Sequence, residues 1–190
     1  MALLAVGCTT QPTAGTSPKA GASPSVVFNA TDTAWIQLMI PMNERAQLLT
    51  DLAPSRSGKT DPALTALAAK TGSGLREDLR RLRALLELSG VPDTRPHEGH
   101  NMPGMVSLTT IEKAGATTGQ EFDSILTDAL RAHLTQARML CASERTHGQA
   151  GAAKELAAAI ATNTARLITW LDRLRPAQPS PGGTTAATRP

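Results

Sequence analysis

The sequence predicts an all-α protein, a bundle of four long helices arranged as two helical hairpins. Apolar residues make up 41% of the 190 residues, but aromatic residues only 2%, and there is no Tyr. The core must therefore be built mainly from Leu and Ala, which favour helices over sheets. Leu recurs at helical spacing in four long segments. A loop rich in His, Met, Gly and Pro separates the second segment from the third.

The first 30 residues predict a lipid anchor and a tether. Residues 1–8 form a short apolar run that ends in Gly7 and Cys8, and they resemble the end of a bacterial lipoprotein signal, whose Cys becomes lipidated. The run is too short to span a bilayer and lacks a basic segment, so the alternative is an ordinary apolar N-terminus. Residues 9–30 are rich in Thr, Pro, Gly, Ala and Ser, as in flexible tethers. We expect a protein that is anchored through Cys8 on the outer face of a cell membrane, or secreted.

The first helix is predicted over residues 32–53, with Thr31 or Asp32 as its N-cap. Pro41 lies inside the helix and predicts a kink, because an interior Pro removes a backbone hydrogen bond. The next segment, residues 53–60, loosely matches a nucleotide-binding P-loop. A P-loop needs a buried β-strand before it, and here a helix precedes the segment, so we interpret the match as coincidental.

The second helix is predicted from Pro62 to Ser89. Asp61 is suited to cap its start, Pro62 to occupy the first helical position, and Gly90 to end it. Gly72 lies near the middle of this segment and predicts a weak point, because Gly disfavours helix interiors.

The second half of the chain repeats this organisation. Thr118 and Glu121 have the spacing of a capping box for the third long helix. The segments are predicted at residues 107–114 (a short helical stretch), 119–146 and 150–174 (long helices) and 176–190 (a disordered tail). The bundle domain is therefore expected to span residues 31–175.

The loop between the hairpins holds the densest group of candidate metal ligands. His97, His100, Met102 and Met105 fall within nine residues, among Gly and Pro residues that break regular structure. Imidazole and thioether groups are borderline and soft ligands, and together they suit copper, especially Cu(I). The alternative is a mobile connector whose polar residues simply face water.

The two halves also align with each other at a constant offset of 91 residues. The aligned pairs include Asp32 with Asp123, Met42 with His133, Ala46 with Ala137, and Leu49 with Leu140. Two duplicated hairpins, each with one apolar side, are expected to close into one four-helix bundle. The alternative is that any two amphipathic helices align in some register.

These residues resemble the DUF305 family, a domain of unknown function. The family pattern begins with Asp, an aromatic–aliphatic pair and Met-Ile-x-His-His, followed by Ala and Met. It contains a His-x-Met-Pro-Gly-Met connector, and each half ends near Trp-Leu. The matching residues are Asp32, Trp35, Ile36, Met39, Ile40, Pro41, Ala46, residues 100–105, Phe122, Asp123, His133, Ala137, Trp170 and Leu171. The resemblance covers about residues 30–174 and implies a ferritin-like four-helix bundle.

The resemblance also implies a role in metal binding, because some members of the family bind copper or silver through His and Met. Where the family has two His-His pairs, this chain has Met42-Asn43 and His133-Leu134. The expected ligands are therefore His97, His100, Met102 and Met105, together with Met42 and His133. For His133 and Met39 the alternative is an ordinary core residue.

Two functions follow from these patterns. The first is a cell-envelope lipoprotein that binds or buffers copper, or another soft metal, and passes it to a metal-handling protein. The second is a structural or interaction module of the envelope that has lost metal binding. Catalysis is not expected, because the sequence shows no nucleophile elbow, no HExxH motif and no set of positioned acid–base groups. Nucleic acid is not an expected partner, since the net charge is only +3 and no basic patch carries aromatics.

Overall fold

A computed structural model describes residues 27–56 and 58–174, and it confirms the predicted all-α bundle. The helices are α1 (Ala30–Thr50), α2 (Pro62–Ser89), α3 (Leu108–Ala116), α4 (Gly119–His147) and α5 (Gly151–Leu174), and a 3₁₀ turn covers Pro54–Arg56. No β-strand occurs among the described residues. The four long helices form the bundle, and α3 is a fifth, short helix in the connection between the hairpins. The predicted anchor, most of the tether and the predicted tail lie outside the described residues.

Helix α1 begins two residues earlier than the sequence pattern predicts. The predicted caps, Thr31 and Asp32, are wrong, because Asn29 caps the helix. The Asn29 side chain accepts a hydrogen bond from the Asp32 N–H (3.0 Å), and the Asp32 carboxylate accepts one from the Asn29 N–H (2.6 Å). Asp32 therefore occupies the third helical position of a capping box. The helix continues through Pro41, which is buried.

Helix α2 has the predicted bounds. The Asp61 carboxylate accepts hydrogen bonds from the first free N–H groups, including that of Ala63 (2.7 Å), and Gly90 ends the helix in a left-handed conformation (φ 69°). The Gly72 position is explained by packing: a Cβ atom there would lie 2.8 Å from the Thr50 hydroxyl oxygen of α1. A residue without a side chain therefore lets the two helices of the first hairpin approach closely.

The start of α4 departs from the predicted capping box. Thr118 is the N-cap residue, but its side chain makes no capping hydrogen bond. Glu121 forms an ion pair with Lys113 of α3 instead (3.4 Å). Ser107, in contrast, caps α3 and accepts a hydrogen bond from the Thr110 N–H (3.0 Å). The local pattern alone was insufficient at Glu121, because a partner on the preceding helix competes for its carboxylate.

Helices α1 and α4 lie side by side and run in opposite directions. At one end the Asn29 side chain donates to the His147 carbonyl oxygen (2.8 Å), and at the other the Asp61 N–H donates to the Asp123 carboxylate (3.2 Å). Helix α2 packs on α1, α5 packs on α4, and α2 contacts α5. The connector, residues 90–118, therefore runs the length of the bundle. A single long crossover of this kind is typical of ferritin-like bundles.

Equivalent hydrogen bonds join the two hairpins at both ends. Asp32 accepts from the N–H of Ala150, the residue just before α5 (3.0 Å). Asp123, which lies 91 residues after Asp32, accepts from the N–H of Asp61, the residue just before α2. Each hairpin thus uses an Asp near the start of its first helix to bind the corner of the other hairpin. This symmetry agrees with the predicted duplication.

The bundle interior contains two apolar clusters with polar side chains between them. The first cluster includes Trp35 and Leu82, and the second includes Leu49 and Phe122. The buried polar residues at their junction include Asn43, Thr71, His133 and Thr164, each at most 4% exposed. Buried polar groups of this kind need partners, which makes the junction a candidate binding region. None of the described helices combines the length and apolarity needed to cross a membrane.

The segment that loosely matches a P-loop forms a corner at the end of α1. Helix α1 precedes it, and the Arg56 guanidinium of this corner donates to the carbonyl oxygens of Ala114 (3.0 Å), Gly115 (2.7 Å) and Thr117 (3.0 Å). The same guanidinium lies 4.8 Å from the centre of the Phe122 ring. The segment therefore binds the end of α3 and the start of α4.

Candidate metal site and the buried polar groups

The connector is held on α1 by two arginines. Arg95 forms ion pairs with Glu44 of α1 (2.5 Å) and with Glu98 in the connector itself (2.7 Å). Arg45, only 8% exposed, donates to the His100 carbonyl oxygen (3.3 Å). These contacts position the backbone that carries the predicted ligands.

The structure brings His97 and His100 next to each other. Their ring centroids are 6.3 Å apart, with 62° between the ring planes. The His100 N–H donates to the His97 carbonyl oxygen (3.3 Å), His97 is half-buried and His100 is exposed. Two imidazoles that bind one ion at about 2.0 Å have centroids roughly 5–6 Å apart. Small side-chain rotations would therefore allow both rings to bind the same ion.

The two connector methionines lie at the ends of a tight turn that packs on α4. The Met105 N–H donates to the Met102 carbonyl oxygen (3.0 Å). Gly104 between them has φ 73°, and a Cβ atom there would lie 2.2 Å from the Gln136 Cβ and 3.0 Å from the Ala132 carbonyl oxygen. Only glycine allows this contact. Met105 is 7% exposed as a result.

His133 of α4 lies in the bundle beneath this turn. It is 1% exposed, and burial lowers its pKa to about 4, against the effect of a hydrogen bond with the Gly104 backbone. Its Nδ1 atom is buried and has no hydrogen-bond partner among the described residues. The imidazole is therefore neutral at physiological pH, which is the form that binds metals.

Met42, aligned with His133 in the duplication, is fully buried in α1 but belongs to neither apolar cluster. The next residue, Asn43, and His133 both line a water-sized cavity of about 10 Å³ at the junction, and Met42 does not line it. Met39 packs in the first apolar cluster, as expected for an ordinary core residue.

The sequence and the helical architecture both correspond to a known domain family. The sequence matches the family described as "Domain of unknown function (DUF305)" over residues 32–175. The chain belongs to the DUF305 family. No curated protein matches the DUF305 chain.

Two solved DUF305 structures have the same fold. A DUF305 fragment from Deinococcus radiodurans has a TM-score of 0.67 and 16% identity, over 77% of this chain and 96% of that chain. A DUF305 protein from Streptomyces coelicolor, presented as a candidate secreted protein, has a TM-score of 0.67 and 17% identity, over 76% of this chain and 91% of that chain. Identities this low show the fold alone, so the functional residues must be assessed in this DUF305 chain itself.

Few groups of potential metal-binding side chains occur in the described part of the DUF305 domain. The described residues contain no group of three or more His, Cys, Asp or Glu side chains able to hold a metal ion. Cys141 is a buried thiol of the first apolar cluster, and burial raises its pKa to about 12, so it is not a thiolate. The candidate ligands predicted from the sequence that lie in the described region are imidazole and thioether groups.

Sequence reasoning missed other polar groups at the junction. Asp78, Asn163 and Thr164 line the same cavity as Asn43 and His133. Burial raises the pKa of Asp78 to about 6, although the nearby charge of Arg81 opposes this. Such buried polar groups can be detected in a sequence where a polar residue interrupts an apolar helical stripe, and Asn43 is the clearest case.

A buried pair of carboxyl groups was also missed. Asp32 and Glu144 are both 0% exposed, where α1 begins and α4 ends. Glu144 follows Ala137 and Cys141 on the buried face of α4, and that helical spacing was the signal. The pair adjoins a groove of about 440 Å³ that His97 also lines.

Proposed function

We propose that this DUF305 domain binds copper as Cu(I), through His and Met side chains where the connector packs on α4. The observation that carries the proposal is His133, a neutral, buried imidazole whose Nδ1 has no partner and which lies against the turn between Met102 and Met105. An unpartnered buried nitrogen is costly unless it binds a ligand.

The chemistry of the donors supports Cu(I). Thioether groups are soft ligands, and imidazole accepts the same ions. Arg45 places a positive charge on the connector at His100. Because the Coulomb repulsion scales with the charge of the ion, this cation disfavours Cu²⁺ more than Cu⁺. His133, Met102 and Met105 are the proposed inner ligands, whereas the predicted ligand Met42 does not line the cavity at His133.

The two connector histidines, His97 and His100, are proposed to receive and release the ion. His97 and His100 adjoin each other, and His100 is exposed to solvent. An ion bound there is accessible to a metal-handling partner protein. The proposed role is therefore non-enzymatic: buffering or transfer of copper in the cell envelope.

A competition titration tests the copper site. Cu(I) would be titrated into the protein against a chelator of known affinity. Met102→Leu with Met105→Leu keeps the volume and removes both sulfurs, and we expect the affinity for Cu(I) to fall by at least tenfold, since the loss of even supporting groups costs about 10–100-fold.

The matched control is Met139→Leu on α4, because Met139 is 60% exposed and lies outside the proposed site. Its affinity should equal that of the unmodified protein. Equal affinity in the double Leu variant, and again after His97→Ala with His100→Ala, would rule out the connector site. The interaction module without metal would then be the better explanation.

The lipid anchor is a separate proposal. It is supported by the resemblance of residues 1–8 to a lipoprotein signal, and by the secretion proposed for the Streptomyces coelicolor relative. We expect the full chain, expressed in bacteria with labelled palmitate, to incorporate label and fractionate with membranes. Cys8→Ser should abolish both, whereas Cys141→Ser should change neither. Label that persists in the Cys8→Ser variant would refute the anchor.

A further inference from the structure

The corner between α4 and α5 is closed over two carboxyl groups. One Asp32 oxygen accepts from the N–H groups of Gln149 (2.9 Å) and Ala150 (3.0 Å), and the other accepts from the Asn29 N–H (2.6 Å). Gly148 packs so closely that a Cβ atom there would lie 2.7 Å from Asp32 Oδ1. The Asp32 carboxylate thus stabilises the corner by accepting three backbone N–H hydrogen bonds.

Glu144 lies beside Asp32 without comparable donors. It is 0% exposed, and neither of its carboxyl oxygens receives an N–H or O–H from the described residues. Burial, and then the hydrogen bond and charge of Asp32, raise its pKa to about 8. Burial opposes ionisation of Asp32 as well, but the backbone N–H groups lower its pKa. The pair therefore holds one proton, which Glu144 donates to the Asp32 carboxylate.

We propose that Asp32 and Glu144 form a proton-dependent latch, which keeps the α4–α5 corner on the start of α1 and releases it when the pH rises. In the protonated latch one negative charge is shared by two buried carboxyl groups. Loss of the proton places two negative charges in contact at a buried site. Separation of the corner from α1 relieves that repulsion and hydrates Glu144.

The groups around the pair determine the direction of the response. Lys154 of α5 faces Glu144 and favours its ionised form, while Asp32 of α1 opposes it. His97 lines the adjoining groove, and Asp78 of α2 lies close enough to Cys141, one turn before Glu144, for its charge to add to the rise that burial causes in the pKa of that thiol. Because the folded pKa of Glu144 exceeds its unfolded value, the native state binds more protons. The free energy of unfolding therefore falls as the pH rises from about 5 to 8. The folding equilibrium constant decreases by up to about tenfold for each pH unit in this range.

Amide hydrogen exchange between pH 6 and 9.5 tests the latch. After correction for the intrinsic pH dependence of exchange, we expect the protection of the Gln149 and Ala150 amides to fall as the pH rises from 6 to about 8 and to level off above that. In Glu144→Gln, which keeps the shape and cannot ionise, protection should stay constant. The Asp61 amide is an internal control: it donates to Asp123 in the equivalent corner, where Ala53 occupies the position 91 residues before Glu144.

Carboxyl NMR of the unmodified protein provides a second measurement that does not depend on the folding of a variant. The Glu144 carboxyl carbon should titrate near pH 8, where the loss of Gln149 protection levels off. The latch would be overturned by a Glu144 titration below pH 6, by constant protection of Gln149 up to pH 9.5, or by an equal fall in protection in Glu144→Gln.

Discussion

Replacement of Gly148 by Ala is expected to destabilise the protein by about 3–5 kcal/mol. The added Cβ atom would lie 2.3 Å from Glu144 Oε1, 2.6 Å from the Glu144 carbonyl oxygen and 2.7 Å from Asp32 Oδ1. Overpacking costs about 1–3 kcal/mol, and moving the corner also weakens two hydrogen bonds to a charged carboxylate, each worth about 1.5 kcal/mol or more. Urea denaturation at pH 6 measures the loss.

Backbone strain does not contribute to this effect, since Gly148 has φ −67° and ψ 156°, which Ala adopts freely. Gly151→Ala is the matched control, because nothing lies within 4 Å of a Cβ atom at the first position of α5. That variant should be as stable as the unmodified protein or slightly more so. A cost below 1 kcal/mol for Gly148→Ala would show that the corner is not tightly closed over the two carboxyl groups.

Replacement of Gly104 by Ala is expected to lift the connector away from α4 and hydrate His133. The Cβ atom would lie 2.2 Å from the Gln136 Cβ and 3.0 Å from a backbone oxygen, and the positive φ adds strain. Because burial is what lowers the pKa of His133 to about 4, exposure should raise that pKa toward the ordinary value of about 6.5. NMR titration of the His133 ring measures this change, and Cu(I) affinity should fall with it.

Gly99→Ala separates steric contact from backbone strain. Gly99 also has a positive φ (87°) and lies in the same connector, but nothing lies within 4 Å of its Cβ position. This variant should leave the pKa of His133 near 4. If Gly104→Ala leaves that pKa unchanged too, the connector does not control the burial of His133, and the proposed inner site loses its support.

Much of the fold was predictable from the sequence, because the deciding interactions are local. Asp61, Pro62 and Gly90 set the bounds of α2 through their own backbone geometry and nearest N–H groups. Leu at helical spacing predicted four helices, and the repeat at 91 residues predicted two equivalent hairpins. Predictions failed where a local pattern had a competitor: Asn29 capped α1 in place of Thr31 or Asp32, and Lys113 attracted Glu121 away from its capping role.

The candidate ligands were also predictable as residue types, since His and Met in a Gly- and Pro-rich loop are visible in the chain. The burial and the hydrogen-bond partners of these residues were not predictable from the sequence. Gly104 of the connector packs on α4 and covers His133. This contact depends on the path that the long connector takes across the bundle. Whether His133 is charged or neutral was therefore decided by the tertiary structure.

The helices and the types of the candidate ligands follow from the amino-acid sequence, because they depend on residues within a few turns of one another, and the duplication is visible as a repeat at 91 residues. Which polar groups are buried together depends on how the helices pack. Asp32 and Glu144 are 112 residues apart (144 − 32), and each alone is an ordinary helical carboxylate. Their shared proton exists because antiparallel packing of α1 and α4 removes water from both. Burial is a property of packed helices, and no single segment specifies it.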